Sequence, residues 1–135
     1  MGVAPDDGLE GRAPGVGAWD EFMSSLRVYY EARALVRMCR SHWEAIARVD
    51  REHAAQLRRA VKVVPANIAE AEHRHDGNGR QRLETALGEA RETRCHLECA
   101  ADSGYLDDET TAAAIRQADK VAAMLYRLRR ARGAA

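Results

Sequence analysis

Leu57, Val61, Val64 and Ile68 recur at steps of four, three and four, drawing one apolar stripe down a helix. Pro65 stands inside that stripe, where it removes an amide donor and crowds the carbonyl four residues back, at a cost of roughly 3 kcal/mol. A chain carrying that cost is either ending the helix or compensating for a kink. Helical periodicity recurs on both sides of it. Phe22, Leu26, Tyr29, Ala32, Leu35, Val36, Cys39, Trp43 and Ile46 give a broad apolar face over about 21–47, with Asp20 placed to cap it. Asp50 is the next cap candidate, for a helix over about 51–75. His53 at its third position means that the reciprocal capping box is absent. Asp76-Gly77-Asn78-Gly79 is the strongest turn signal, because these residues tolerate positive φ cheaply.

A third helix follows over about 80–103 with Leu83, Leu87, Ala90, Leu97 and Ala101 inward. Arg94 falls on that stripe and either snorkels at its edge or meets a carboxylate at a subunit contact. Gly104 stops this helix, and Tyr105-Leu106 can pack back under the turn. Asp107 or Asp108 then caps a fourth helix over about 108–131, buried through Ile115, Ala118, Val121, Ala122, Leu125 and Leu128. Acidic Asp107, Asp108 and Glu109 at its start and basic Arg127, Arg129 and Arg130 near its end both suit the helix dipole. Residues 1–19, rich in Gly, Pro and Asp and without periodicity, read as a disordered tail, and 20–132 as the folded unit. Four helices with short connections predict an all-α, antiparallel up-down-up-down bundle.

Composition agrees with that reading. Apolar residues are 46% of the 135, yet aromatics only 5%, and the chain has three prolines. A core of Ala, Leu and Val favours close-packed helices over a sandwich. Formal charge is zero, so no global field draws the chain to nucleic acid or membrane. The sequence has no apolar leader and no run of about 18 apolar residues, which predicts a soluble, reducing cytoplasmic setting and no membrane partner.

Candidate chemistry is thin. Glu70-x-x-His73 has the spacing used in di-iron bundles, but the fourth helix offers no matching motif, so no metal site is predicted. Cys95 and Cys99 share a helix face beside His96, with Cys39 able to approach; zinc would want two further convergent ligands, and buried thiols acting as small apolar residues are the plainer reading. No serine sits in a nucleophile elbow and no phosphate loop follows a strand, so neither catalytic residues nor a cofactor is expected. A stripe of Arg33, Arg37 and Arg40 reads as a solvated face or, more sharply, as a phosphate-tracking ridge. With Arg58, Arg59, Lys62, Arg127, Arg129 and Arg130 it makes up the candidate nucleic-acid-binding set.

Arg58-Arg59-Ala60 followed by Val64-Pro65-Ala66-Asn67-Ile68-Ala69-Glu70 resembles the Arg-Arg-Ala…Ile-Pro-Ser-Asn-Ile-Ala-Glu-Gly signature of the 23S ribosomal RNA intervening-sequence proteins. Leu26-Arg27-Val28-Tyr29, Leu83…Ala86-Leu87-Gly88-Glu89 and Ala100…Gly104-Tyr105-Leu106 resemble further segments of that family, in order, across about 22–130. Tyr29, Ala66 and Ala71 depart from its usual Trp, Ser and Gly. The Ala71 departure predicts a second helix that runs on beyond Glu70 with less of a break. The resemblance implies a four-helix bundle assembled as a ring-like homo-oligomer, typically a pentamer. It also implies an association with RNA, and similar bundles act as accessory proteins to reverse transcriptases of diversity-generating retroelements. Arg58, Arg59, Pro65, Asn67 and Glu70 are the signature positions. The Asn67 amide is placed to satisfy a carbonyl freed near Val61, and Glu70 to pair with Arg58 or Arg59 of a neighbouring subunit. The expected role is non-enzymatic assembly or interaction, with a nucleic-acid accessory as the alternative.

Overall fold

The structure, a computed structural model, describes residues 15–74 and 77–133. Among them the chain forms four helices and no strand: α1 (Gly15–Ala47), α2 (Arg51–Glu72), α3 (Gly77–Asp102) and α4 (Asp108–Gly133). Each helix packs on its two neighbours, α1 on α2, α2 on α3, α3 on α4 and α4 on α1. The core between them is Leu35 and Ile46 from α1, Leu57, Val61, Val64 and Ile68 from α2, Leu83 and Leu97 from α3, and Val121 and Leu125 from α4. Alanines at 32, 60, 86, 90, 100, 114 and 118 are buried among them and let the helices approach closely.

Helix ends follow local chemistry. Asp50 caps α2 by accepting the His53 amide at 3.0 Å. Asp107, the nearer of the two candidates, caps α4 by accepting the Thr110 amide at 2.7 Å. Gly104 ends α3 at φ 79, with the Tyr105 amide donating to the Ala100 carbonyl and the Gly104 amide to Ala101, the paired bonds of a Schellman stop. The Tyr105 hydroxyl then donates to Asp50 Oδ2 at 3.0 Å, which ties the α3–α4 connection to the start of α2.

Several expectations are corrected. α1 begins at Gly15, so 15–19 are helical and Asp20 lies inside the helix instead of capping it; residues 1–14 lie outside the described residues. Glycine and the missing cap concealed this start. Once packing holds a helix, each added residue gains a bond at little further cost. α2 stops at Glu72, two residues past Glu70 and short of the expected His75, which with Asp76 lies outside the described residues. Gly77, Asn78 and Gly79 belong to α3 and are not a turn. The need for glycine at 79 is closeness, since a Cβ there would stand 1.9 Å from the Arg74 carbonyl oxygen.

The inward face of α1 is largely the expected one, with Ala32, Leu35, Cys39 and Ile46 in the core and Tyr29, Val36 and Trp43 packed against its edge. It gains Ser25 and Val28 and leaves Phe22 out. Ser25, Val28, Ala32, Leu35, Cys39 and Ile46 are buried, whereas Phe22 is exposed and Leu26, Tyr29, Val36 and Trp43 are half-buried. In α3, Ala86 and Ala100 are buried, with Ala101 only half-buried.

Polar ties cross three of the four seams. Gln117 Nε2 donates to Glu31 Oε1 and to its carbonyl, both at 2.8 Å, and Lys120 pairs with Glu31 at 3.1 Å, pinning α4 to α1. Those two donors hold the Glu31 carboxyl below the usual carboxylate range. Arg94 does meet carboxylates, but within its own chain: Glu98 at 3.1 Å and Asp119 of α4 at 2.7 Å. His53 Nε2 donates to the His96 carbonyl at 2.9 Å between α2 and α3. At the other end Arg132, its side chain only 6% exposed, reaches Glu21 at 2.7 Å, Glu72 at 3.4 Å and the Ala71 carbonyl at 3.0 Å. Among the described residues, no hydrogen bond or ion pair joins an α1 side chain directly to an α2 side chain.

Candidate functional site

The seam without direct side-chain ties carries an open groove. Tyr29, Arg33, Val36 and Arg37 of α1 face Lys62, Pro65, Ala66 and Ala69 of α2 across a groove of about 470 Å³. Helical spacing explains the lining. Positions 29, 33, 36 and 37 share one face of α1, as 62, 65, 66 and 69 do on α2. Alanines at 66 and 69 leave room above the helix, and Pro65, half-buried, forms part of the floor. No carboxylate lines the groove, and three cations do. The Arg33 guanidinium lies 5.9 Å from the Tyr29 ring centre and 5.8 Å from that of Tyr30, within reach of cation–π attraction.

Towards the start of α1 the groove continues into an apolar notch of about 200 Å³. Phe22, Ser25, Leu26, Tyr29, Ile68, Ala69, Glu72 and His73 line it. Ser25 is fully buried, and neither its Oγ nor Glu72 Oε2 has a hydrogen-bond partner among the described residues. Beyond the notch, Trp19 (61% exposed), Phe22 (43%), Met23 (38%) and Tyr30 (55%) present large apolar surface to solvent. Trp19 and Phe22 stack one turn apart with ring centres at 5.8 Å.

Pro65 does not end its helix. α2 runs unbroken through it, so the reading in which the proline ends the helix is excluded. The expected repair is not made: Asn67 Nδ2 donates at 3.0 Å to the carbonyl of Val63, not to that of Val61, the one Pro65 deprives of its amide. Side chains on a helix lean toward its N-terminus, so residue 67 reaches the carbonyl four residues before it. Asn67 Oδ1 in turn accepts from Arg82 at 3.3 Å, which links the proline-bearing turn to α3. Glu70 meets Arg74, two residues beyond the end of α2, at 3.1 Å.

The candidate cations divide among several surfaces. Arg33, Arg37 and Lys62 share the groove. Arg40 and Arg58 are exposed elsewhere on α1 and α2, and Arg59 turns toward Glu89 and His96 of α3. Arg127 lines a separate groove of about 550 Å³ with Asp20, Glu21 and Arg27. Arg129 pairs with Glu84 at 3.5 Å, and Arg130 is exposed near the chain end. The nine residues therefore do not form one patch. Sequence reasoning also missed Arg132, because its three acceptors come from α1 and α2, distant in sequence.

The thiols reverse the expectation in part. Cys39 is buried, and burial pushes its thiol up to about 12. Cys95 and Cys99 are exposed on the outer face of α3, away from Cys39. Among the described residues, no group of three or more His, Cys, Asp or Glu side chains is placed to hold a metal ion. Among the described residues, no helix is long and apolar enough to cross a membrane.

Residues 24–127, which contain the Pro65 turn, both walls of the groove and the Gly104 stop, match the 23S rRNA-intervening sequence protein family. The chain belongs to that family. A solved structure gives the same fold: a protein with unknown function from the S23 ribosomal protein family of Bacteroides thetaiotaomicron VPI-5482. It aligns with a TM-score of 0.71 at 19% identity, covering 79% of this chain and 98% of that one. No curated protein matches the chain. Within this intervening-sequence family protein, the signature positions divide between jobs. Asn67 links the Val63 carbonyl of α2 to Arg82 of α3, and Pro65 lines the open groove.

Proposed function

We propose that this protein is a non-enzymatic assembly and interaction module of the cytoplasm. In this reading an antiparallel up-down-up-down bundle joins copies of itself into a cyclic homo-oligomer, a pentamer by family resemblance. The observation that carries the proposal is the outward face of α1, where Trp19, Phe22, Met23 and Tyr30 stand exposed beside the apolar notch. A monomer has little reason to hold a contiguous apolar patch of this kind in water. The chain also carries a counter-surface. A groove of about 650 Å³ between α3 and α4 is lined by Glu98, Asp102 and Asp108 against the single cation Arg116, opposite in sign to the Arg33–Arg37–Lys62 groove. Contact between two different faces of one chain is heterologous, and it gives a ring where the rotation between copies closes. The test replaces Trp19, Phe22 and Tyr30 by serine. The account expects a folded protein of lower assembled mass, and an unchanged mass would contradict it.

A second reading has its own observation. Arg33, Arg37 and Lys62 with Tyr29 and Tyr30 combine cations and aromatic faces without a carboxylate, as single-stranded nucleic-acid grooves do. An RNA-handling enzyme such as a reverse transcriptase is the partner this reading would serve. Fluorescence anisotropy with single-stranded RNA at about 50 and 200 mM salt distinguishes the two. Binding that falls with salt, and that disappears when Arg33, Arg37 and Lys62 are changed to glutamate, would favour it. Absence of binding at the lower salt would remove it.

A further inference from the structure

Cys95 and Cys99 lie one turn apart on α3, both free, both exposed, with their sulfur atoms 4.0 Å apart. We propose that this pair is a two-coordinate site for a soft monovalent cation, Cu(I), held between two thiolates on the outer face of α3. Metal–thiolate bonds of about 2.3 Å allow two sulfurs to stand up to about 4.6 Å apart around one ion. The observed spacing therefore admits a metal between them with a bent geometry, and a small change of rotamer opens it toward linear.

The surroundings select the kind of metal. His96, adjacent in sequence, turns inward: its side chain is 15% exposed and its ring centre lies 5.6 Å from that of His53. It is not available as a third ligand on the outer face. Among the described residues no third or fourth ligand converges on the pair, so a tetrahedral zinc site cannot be completed. Two soft sulfurs with low coordination number favour Cu(I). The hydrogen bond with Cys95 chiefly raises the Cys99 thiol above the ordinary range, and the nearby carboxylates of Asp102 and Glu98 add to it. The same carboxylates favour an approaching cation, although Glu98 is shared with Arg94 at 3.1 Å.

Binding balances without an oxidant. Two thiols lose their protons, two copper–sulfur bonds form, the two protons pass to solvent, and copper stays in the +1 state throughout. The site is separate from the α1–α2 groove, but it borders the α3–α4 groove through Glu98 and Asp102, so copper binding is measured on the free chain as well as on any assembly.

The experiment titrates the reduced full chain with Cu(I) under anaerobic conditions against bicinchoninate as a coloured competitor. One equivalent per chain should be withheld from the competitor. C95S and C99S should each weaken retention about 100-fold or more, because the second thiolate acts at high effective concentration. C39S serves as the control and should leave retention unchanged. Circular dichroism checks that each variant is folded. No withheld copper, retention that survives both single variants, or equal retention of Zn(II) would overturn the assignment.

Discussion

Replacing Pro65 by alanine should raise the stability of this protein while weakening its assembly. Proline in a helix interior is about 3 kcal/mol less favourable than alanine. Here α2 continues for seven residues past Pro65 to Glu72, so the position is internal and the missing amide leaves the Val61 carbonyl without its ordinary partner. Two effects oppose the gain. Alanine loosens the unfolded chain by about 0.4–1 kcal/mol, and removing the half-buried ring forfeits some packing in the groove floor. The net expectation is about 1–2 kcal/mol of stabilisation, or roughly 3–7 °C in midpoint for a domain of this size. Thermal unfolding followed by circular dichroism measures it. The melts should be run at several protein concentrations, because any assembly couples stability to concentration. A lower midpoint at the lowest concentration would refute the reasoning, since it would mean that ring packing outweighs the backbone cost. Higher stability with unchanged assembly would show that Pro65 does not shape an interface.

Two further outcomes follow from the same structure. R132A leaves Glu21, Glu72 and the Ala71 carbonyl without their shared donor and should cost about 2–3 kcal/mol, reduced from the fully buried case because both carboxylates keep some solvent; R132K should recover only part of it in urea unfolding, because one ammonium cannot match a forked guanidinium. Stability should also decline on acidification from about pH 7 to 5.5. Burial lowers His42 and His96, with Asp107 and Glu92 opposing it; the unfolded chain therefore binds protons first, and stability present above the ordinary histidine value of 6.5 is lost below it. H96Q should flatten part of that slope, and a flat profile in the parent protein would contradict the burial argument.

The sequence carried most of the fold and less of the site. Leu57, Val61, Val64 and Ile68 lie in the core as their spacing predicts, because α2 has a single apolar face. α1 was harder to read, since it is apolar on more than one side. Phe22, Leu26 and Tyr29 fit the same period as Val28, Ala32 and Leu35, and periodicity does not distinguish the face that meets the bundle from one left outside. That ambiguity coincides with the candidate site. The Asp50 cap and the Gly104 stop were legible because each depends on residues a few positions apart. Arg132, the Gly79–Arg74 approach and the exposure of Cys95 and Cys99 were not, since each depends on how helices sit against one another or on which face turns outward.

The central claim, that the exposed face of α1 is an assembly surface, is tested most directly by sedimentation equilibrium of the intact 15.0 kDa chain across a range of concentrations. The account predicts one discrete multiple of the chain mass, which W19S/F22S/Y30S reduces while helicity is retained. A single species at the mass of one chain over the whole range would contradict it.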